Sequence, residues 1–194
     1  MPASSSQRDS QPSQRLFVAC DLPEAATAAI ASWQRSQLQT GSSVRLAASV
    51  HLTLCFLGST PQEAVPGIVQ ALGEIGFPPA RVTFAPPIFL PEHGRKRVIA
   101  LGLQPATADP EALERLVSLQ QRVSDTLTCL GVYTPEKRPW LPHVTVARFR
   151  QPGQPFSLQN VNLQELCVSQ MVLYTSVLAR GGAVHTPLAV FTAQ

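Results

Sequence analysis

Short apolar runs, separated by polar and proline-containing stretches, predict alternating strands and helices along this chain. The first run, residues 15–20, is an arginine followed by five apolar residues, and it stops before Asp21 and Pro23. A short apolar run bounded by turn residues is typical of a buried strand. Pro23 suits the first turn of a helix, and the alanine-rich sequence after it predicts a helix that ends before Gly41. We interpret Asp21 as the residue at which this helix starts.

A second strand and helix are predicted in the other half of the chain. Residues 97–103 again begin with an arginine and continue as an apolar strand. Asp109 and Pro110 combine a capping side chain with a first-turn proline, so they predict a helix start, and Gly131 predicts the helix end. Between them, apolar residues recur near helical spacing and predict a buried face: Leu113, Leu116, Val117, Val123, Leu127 and Leu130.

Other segments carry weaker signals. Residues 60–63 match a capping box, which predicts a helix to residue 75, but Pro66 favours a start of the regular helix at its own position. Residues 42–50 are predicted to link the first helix to the strand that begins at His51. Further strand pieces are predicted from β-forming residues: 81–84, 88–90, 165–176 and 184–191, the last two joined around Gly181.

One four-residue pattern occurs twice, as His-Leu-Thr-Leu at residues 51–54 and as His-Val-Thr-Val at residues 143–146. Side chains alternate between faces of a strand, so each His and Thr share one face, about 6.5–7 Å apart, and the aliphatic residues anchor the other. A lone His on an apolar strand is more often a packing residue than a catalyst. Two copies in a chain with four His residues indicate a shared function.

The order of elements repeats together with this motif. Each half contains an arginine-led strand, a helix and then a His-x-Thr-x strand, and His51 and His143 are separated by 92 residues, close to half of the 194-residue chain. Such a repeat indicates an internal duplication. We therefore predict two similar α/β lobes that bring both His strands to a shared central cleft.

Composition is that of a globular protein. Hydrophobic residues make up 44% and charged residues 14%, and no apolar run approaches the roughly 20 residues that cross a bilayer. Residues 1–14 are polar and lack the apolar segment of a secretory signal, so we predict a disordered tail followed by one two-lobed domain at residues 15–194. The cytoplasm is the expected location.

Charge and cysteine usage restrict the chemistry only weakly. The net charge of +3 permits an anionic partner without requiring one, and Arg95 and Lys96 are predicted to lie in solvent. The four cysteines are scattered and form no Cys-x-x-Cys pair, so they are predicted to be reduced packing residues: Cys20, Cys55, Cys129 and Cys167.

Two opposed imidazoles can catalyse displacement at phosphorus. One takes a proton from the attacking oxygen while the other gives a proton to the leaving oxygen, and a His pKa of about 6.5 allows both forms near neutral pH. Hydroxyls such as those of Thr53 and Thr145 can donate to the non-bridging phosphate oxygens. Arg148, five residues after His143, has a cationic fork suited to phosphate, with a solvent-exposed strand end as the alternative.

Other chemistries fit this sequence less well. A zinc site needs three or four ligands, yet the sequence has no His-x-His, His-Glu-x-x-His or paired-cysteine spacing, and it lacks nucleophile-elbow and phosphate-loop sequences. We therefore expect no metal and no other cofactor. Phe56 would lie on the face opposite His51 in an ideal strand, which predicts packing in the core unless a bulge turns it toward the cleft.

The motifs and their flanks resemble those of the bacterial RNA 2′,3′-cyclic phosphodiesterases, also called 2′-5′ RNA ligases, of the two-histidine phosphoesterase superfamily. The resemblance covers residues 15–191. It rests on RLFVA with DLP at residues 15–23, HLTL with FLG at 51–58, RP with PHVTVAR at 138–148, LY at 173–174 and TPL at 186–188.

This resemblance implies an α+β fold with two pseudo-symmetric lobes, in which antiparallel sheets line a central cleft and helices lie outside. It implies metal-independent opening of a 2′,3′-cyclic phosphate at an RNA 3′ end to leave a 2′-phosphate, with 2′-5′ ligation as the reverse chemistry. It assigns His51 as proton donor and His143 as proton acceptor, with Thr53 and Thr145 on the phosphate. The expected partner is RNA carrying a cyclic phosphate end, bound by a monomer that does not bind membranes.

Two positions depart from the family pattern. Cys55 stands where relatives commonly carry a basic or larger polar residue, and His185 stands where an aromatic residue such as Tyr is expected. These departures leave the contacts to the substrate end and the base preference open. Two alternatives are a phosphodiesterase for a small cyclic or 2′-5′-linked nucleotide and a non-catalytic protein that binds RNA ends.

Overall fold

The computed structural model describes residues 12–38, 43–162, 165–179 and 182–194. Within these ranges the chain forms nine strands and three α-helices, with one turn of 3-10 helix at Gln62–Ala64. In chain order the elements are β1 (Ser13–Cys20), α1 (Glu24–Gln37), β2 (Val44–Leu46), β3 (Leu52–Pro61), α2 (Val65–Gly73), β4 (Ala80–Leu90), β5 (Lys96–Pro105), α3 (Ala112–Cys129), β6 (His143–Gly153), β7 (Leu166–Val168), β8 (Gln170–Ala179) and β9 (Gly182–Thr192).

The nine strands form one antiparallel sheet with the two motif strands at its centre. The main order is β7-β4-β5-β6-β3-β1-β8-β9, and β2 pairs with β6 beside this order. β3 and β6 meet at one pair of residues, Leu52 and Val144, which are the second residues of the two motifs. In the main order, four strands lie on each side of this junction, the motif strand included. We call β3, β1, β8 and β9 the first lobe, and β6, β5, β4 and β7 with β2 the second lobe.

Equivalent elements occupy equivalent places in the two lobes. β1 and β5 each lie beside the motif strand of their own lobe. The helix that follows each of them reaches the other lobe: α1 places the side chain of Gln34 on β6, and α3 packs on β3 as well as on β4 and β5. The predicted α+β fold with two pseudo-symmetric lobes is therefore confirmed.

The apolar core lies between the sheet and the helices. α1 contributes Ile30 and Trp33, and the centre of the sheet contributes residues with no exposed surface, among them Leu52 and Val144. The periodicity of α3 predicts its buried face in part. Leu116, Val123 and Leu127 are buried, Leu113 is half-buried, and Val117 and Leu130 are exposed, contrary to the prediction.

Two predicted helix caps are not formed because their side chains have other partners. Asp21 accepts a hydrogen bond from the hydroxyl of Tyr174 at 2.6 Å and does not cap α1. The carboxylate of Asp109 accepts from the backbone N–H of Arg81 at 2.8 Å and pairs with the guanidinium of Arg115. Contacts with Tyr174 and Arg81, which are distant in sequence, and with Arg115 of α3 thus replace the local caps.

β3 continues beyond the predicted stop at Gly58. This glycine has φ 73°, a left-handed conformation that glycine adopts without steric cost, and the strand extends to Pro61. Thr60 is buried and its hydroxyl donates to the carbonyl of Gly58 at 3.3 Å, so the predicted capping box is wrong. Pro66 lies in the first turn of α2, as predicted for the regular helix, and Gly131 ends α3 with φ 70°.

Several other local predictions are wrong. The two strand pieces before Pro91 form the single strand β4, the predicted link before His51 contains β2, and the last part of the chain forms three strands. Lys96 is 9% exposed, because its ammonium group donates to the carbonyls of Pro91 at 3.0 Å and Glu92 at 2.6 Å. Cys129 is exposed, so it is not a packing residue.

The ends of the predicted domain are described in part. β1 begins two residues before Arg15, and residues 1–11 of the predicted tail lie outside the described residues, as do Gly41 and Gly181. In the part of the chain that the structure describes, no helix is long and apolar enough to cross a membrane.

Candidate active site

The alternation predicted for the two motifs is present in the structure. The aliphatic residues Leu52, Leu54, Val144 and Val146 are at most 2% exposed. The four polar residues are each half-buried: His51, Thr53, His143 and Thr145. Because β3 and β6 pair at the second residue of each motif, these polar side chains lie on both sides of one strand junction. We call the sheet face that carries them the cleft face.

A β-bulge interrupts each motif strand at the fourth residue of the motif. The pairing of β3 with β1 skips Leu54, and the pairing of β6 with β5 skips Val146. A bulge adds one residue to one strand, so the alternation of side chains is shifted after it. As a result, the residue five positions after each His lies on the same face as that His. These two residues are Phe56 in the first lobe and Arg148 in the second.

Glutamines from two helices contact the carbonyl groups of the bulged residues. Gln34 of α1 is 6% exposed, and its Nε2 donates to the carbonyls of Val146 at 2.7 Å and Ala47 at 3.1 Å. Gln120 of α3 approaches the carbonyl of Leu54 at 3.5 Å. An extra residue in a strand disrupts the ladder, and a buried carbonyl needs another donor. The two helices therefore support the same local structure in both lobes.

His51 lies in an aromatic cluster on the first lobe. Its ring centroid is 5.0 Å from that of Phe17, 5.4 Å from that of His185 and 6.3 Å from that of Tyr174. Phe17 is only 2% exposed and stacks on Tyr174, whose hydroxyl is fixed by Asp21. Aromatic packing therefore holds the first imidazole in place.

This environment changes the acidity of His51. Burial lowers the pKa of His51 to about 4, and positive charge at His185 and Arg148 contributes to the same effect. Arg148 thus lies within electrostatic reach of His51. At neutral pH the unliganded protein holds this imidazole without a second proton. A bound phosphate anion has the opposite effect, since a nearby negative charge favours the protonated ring.

His143 is oriented by a hydrogen bond to its own segment. Its Nδ1 is 2.8 Å from the carbonyl oxygen of Leu141. A carbonyl can only accept, so Nδ1–H is the donor and Nε2 of the neutral ring keeps a free lone pair. Trp140 donates from Nε1 to the carbonyl of Thr53 at 3.0 Å. This bond connects the segment that leads to the second motif with the first motif strand.

The structure also places the remaining residues of interest. Phe56 is 58% exposed on the cleft face, so the prediction of core packing is wrong, because the bulge at Leu54 turns it outward. Cys55 is buried, the Nε2 of Gln120 lies 3.9 Å from its sulfur, and burial raises the pKa of its thiol to about 11. A thiol with this pKa stays protonated and is a poor nucleophile at neutral pH.

Sequence reasoning did not identify the aromatic support of His51. Phe17 and Tyr174 are 157 positions apart in the sequence and become neighbours through the pairing of β1 with β8. Their only sequence signal is their place in the segments that resemble the family. Among the described residues, no group of three His, Cys, Asp or Glu side chains is arranged to hold a metal ion.

Two imidazoles and two hydroxyls at the junction of two similar lobes, with an arginine nearby, define a protein of the two-histidine phosphoesterase class. Comparison with models of protein families agrees with this class and narrows it to one family. Residues 22–168 match the model of the 2′-5′ RNA ligase superfamily, and the chain belongs to this family. The assignment made from the two motifs is therefore confirmed.

Named relatives cover nearly the whole chain. It is 30% identical over 179 residues to the RNA 2′,3′-cyclic phosphodiesterase of Escherichia coli (strain K12). The aligned region covers 90% of this chain and 94% of the E. coli protein. A protein of the same name from Methanothermobacter thermautotrophicus is 26% identical over 188 residues, covering 91% of this chain and 97% of the relative. The crystal structure of E. coli LigT complexed with 3′-AMP has a TM-score of 0.79 and 26% identity, covering 94% of this chain and 99% of that one.

Proposed function

We propose that this protein hydrolyses 2′,3′-cyclic phosphate ends of RNA to 2′-phosphomonoesters, with His51 and His143 as paired acid and base and without a metal ion. The observation that carries this proposal is the junction of β3 and β6, which presents both His-x-Thr pairs on one cleft face. Relatives that cover almost the whole chain are named RNA 2′,3′-cyclic phosphodiesterase, which favours this substrate.

In the proposed reaction His143 is the base. The hydrogen bond from Nδ1–H to Leu141 leaves Nε2 free to accept a proton from the attacking water. The water oxygen forms a bond to phosphorus while the bond between phosphorus and the 3′ oxygen breaks. His51 gives its proton to the leaving 3′ oxygen, and the 2′-phosphate remains on the RNA.

His51 must be protonated before it can act as the acid. Its pKa of about 4 in the unliganded protein does not favour this form at neutral pH. The negative charge of the cyclic phosphate raises that pKa on binding, because it offsets the neighbouring positive charge and stabilises the imidazolium. Substrate binding would therefore charge the acid where it is needed.

The remaining polar groups would stabilise the transition state. The hydroxyls of Thr53 and Thr145 can donate to the non-bridging oxygens, and the guanidinium of Arg148 adds charge-assisted donors. The bulge at Val146 is essential for this role, since it places Arg148 on the cleft face. If the 5′ hydroxyl of a second RNA replaces water, the same steps form a 2′-5′ linkage.

The proposal is tested by incubating the purified protein with EDTA and a short RNA that ends in a 2′,3′-cyclic phosphate. We expect a linear product whose terminal phosphate is on the 2′ oxygen, identified by phosphatase treatment and by comparison with synthetic 2′- and 3′-phosphate standards. The His143→Ala variant is the matched control for contaminating activity. A product with only 3′-phosphate ends, or no product, would contradict the proposal.

A further inference from the structure

The cleft face of the first lobe carries a polar row along the edge of the aromatic cluster, and the two share His185. Arg15 lies two residues before Phe17 on β1, so both side chains point to the same face. The strand pairings place Ser59 on one side of Arg15 and Ser176 on the other. His185 is opposite Ser176 on the next strand. Side chains of directly paired residues share a face, so these four residues form one row across four strands.

Among the described residues of β3, β1, β8 and β9, Arg15 is the single residue with a charged side chain other than histidine. The four strands of the first lobe, as bounded above, contain no other Arg or Lys and no Asp or Glu. Arg15 is exposed, and in the described part of the chain it forms no ion pair. An anion near this row would therefore meet the guanidinium of Arg15 beside the hydroxyls of Ser176 and Ser59, the latter also hydrogen-bonded to Ser13 at 3.0 Å, with no carboxylate on these four strands.

The distance between His51 and Arg15 decides which phosphate of a substrate Arg15 can reach. His51 packs on Phe17 with 5.0 Å between ring centroids. Arg15 is one same-face step further along β1, about 6.5–7 Å beyond Phe17. The two steps together amount to roughly 12 Å from the ring of His51 to the backbone at Arg15. One extended nucleotide covers part of this distance between successive phosphates, and the long, flexible side chain of Arg15 can cover the rest. A terminal nucleotide whose cyclic phosphate lies at His51 can therefore place its next phosphate near Arg15.

We propose that Arg15 binds the phosphate on the 5′ side of the terminal nucleotide, so that the site distinguishes an RNA end from a cyclic mononucleoside phosphate. This inference rests on the proposed function and specifies its substrate. The arginines of the second lobe are arranged differently, since Arg45 on β2 lies directly opposite Arg148 in the pairing of β2 with β6. The bulge at Val146 puts Arg148 on the cleft face of the second motif strand, and Arg45 lies beside it, so both are on the side of the reacting phosphate. The exposed aromatic side chain Phe56, which can contact the nucleoside, is on the lobe of Arg15.

The test compares two small substrates that differ only in the proposed contact: adenosine 2′,3′-cyclic phosphate and the same compound with a 5′-phosphate. We expect Arg15→Ala to raise KM for the 5′-phosphorylated compound and for a cyclic-phosphate RNA roughly 5- to 30-fold. It should leave the turnover of adenosine 2′,3′-cyclic phosphate unchanged. For the RNA, the slope of log kcat/KM against log salt concentration should become shallower by about 0.7, the value for one single-strand phosphate contact.

Two variants complete the design. Arg35→Ala removes the same charge from an exposed position on α1 and should behave as wild type on all three substrates. A selective loss in Arg45→Ala with none in Arg15→Ala would assign the 5′ phosphate to the second lobe and overturn the inference. An equal loss on all substrates in Arg15→Ala, or no loss at all, would also overturn it.

If the protein lacks the proposed phosphodiesterase activity, the result differs from the one expected when only the Arg15 contact is absent. In that case wild-type protein turns over none of the cyclic phosphates, whatever residue occupies position 15. Binding of a fluorescent RNA with a 2′-phosphate end, measured by anisotropy, then still tests the contact. Weaker binding by Arg15→Ala than by Arg35→Ala supports it, and equal binding by the two variants refutes it.

Discussion

Replacing His51 by glutamine should make the protein's stability less sensitive to acid. The substitution removes a titrating ring from the aromatic cluster and keeps a polar side chain. In the unfolded chain the imidazole takes up a proton below a pH of about 6.5, whereas in the folded protein its pKa is about 4. Between these values the unfolded state binds more protons, so the free energy of unfolding of the wild type falls as the pH falls.

The size of the effect follows from the two pKa values. At pH 7.5 the ring is neutral in both states and contributes almost nothing to the pH dependence. At pH 5 the unfolded ring is almost fully protonated while the folded ring is mostly neutral, which lowers the free energy of unfolding by about 2 kcal/mol. His51→Gln should lack this loss, because glutamine does not titrate.

Urea unfolding at pH 7.5 and pH 5 measures the difference. The wild type should lose about 2 kcal/mol more than His51→Gln between the two conditions. The variant His93→Gln, which removes an exposed histidine from the connection between β4 and β5, is the control and should follow the wild type. Equal losses in wild type and His51→Gln would refute the idea that burial of His51 disfavours its charge.

Three further substitutions test the structure around the site. Arg148→Ala should lower kcat/KM roughly 10- to 100-fold, since it removes a cationic donor. It should also raise the pKa of His51, measured by NMR titration. An unchanged kcat/KM would place Arg148 outside the site. Phe56→Ala should raise KM for RNA roughly 5- to 100-fold through lost base stacking with little change in Tm, and an unchanged KM would exclude the contact. Gln34→Leu should lower the free energy of unfolding by about 1–3 kcal/mol in urea, because the part-buried carbonyl of Ala47 loses its side-chain donor and the buried carbonyl of Val146 keeps only the backbone N–H of Ala47 at 2.9 Å. A loss below about 0.5 kcal/mol would show that the bulge at Val146 does not depend on Gln34.

The motif strands were predictable because their pattern is local. Alternation over four residues already assigns His and Thr to one face and the aliphatic residues to the core, and burial of Leu52 and Val144 agrees with it. The duplication adds the information that both strands occupy equivalent positions. No knowledge of long-range pairing is needed for these steps.

The bulges could not be predicted in the same way. Whether a strand accommodates an extra residue depends on its neighbours and on a donor for the displaced carbonyl, and Gln34 is 112 positions from Val146. Without the bulge, a five-residue spacing places Arg148 on the face opposite His143. The position of Arg148 on the cleft face is thus a property of the tertiary structure.

The failed caps have the same origin. Thr60 carries a good capping signal, but Gly58 lets β3 continue, and the threonine is buried within the strand. Asp21 and Asp109 have equally good local signals, yet the hydroxyl of Tyr174 and the backbone N–H of Arg81 bind their carboxylates from elsewhere in the fold. Polar side chains with several possible partners are therefore poor guides to element boundaries when only the sequence is considered.

The paired role of the two imidazoles is tested most directly by the turnover of adenosine 2′,3′-cyclic phosphate in EDTA by His51→Ala, His143→Ala and the double variant. Acid and base catalysis by these residues predicts that each single substitution lowers kcat roughly 10²- to 10⁴-fold. The double variant should lose much less than the product of the two, because residues that act as a unit have non-additive effects. Circular dichroism and urea unfolding at pH 7.5 verify that each variant is folded. Retention of wild-type kcat by either folded single variant would contradict paired-imidazole catalysis.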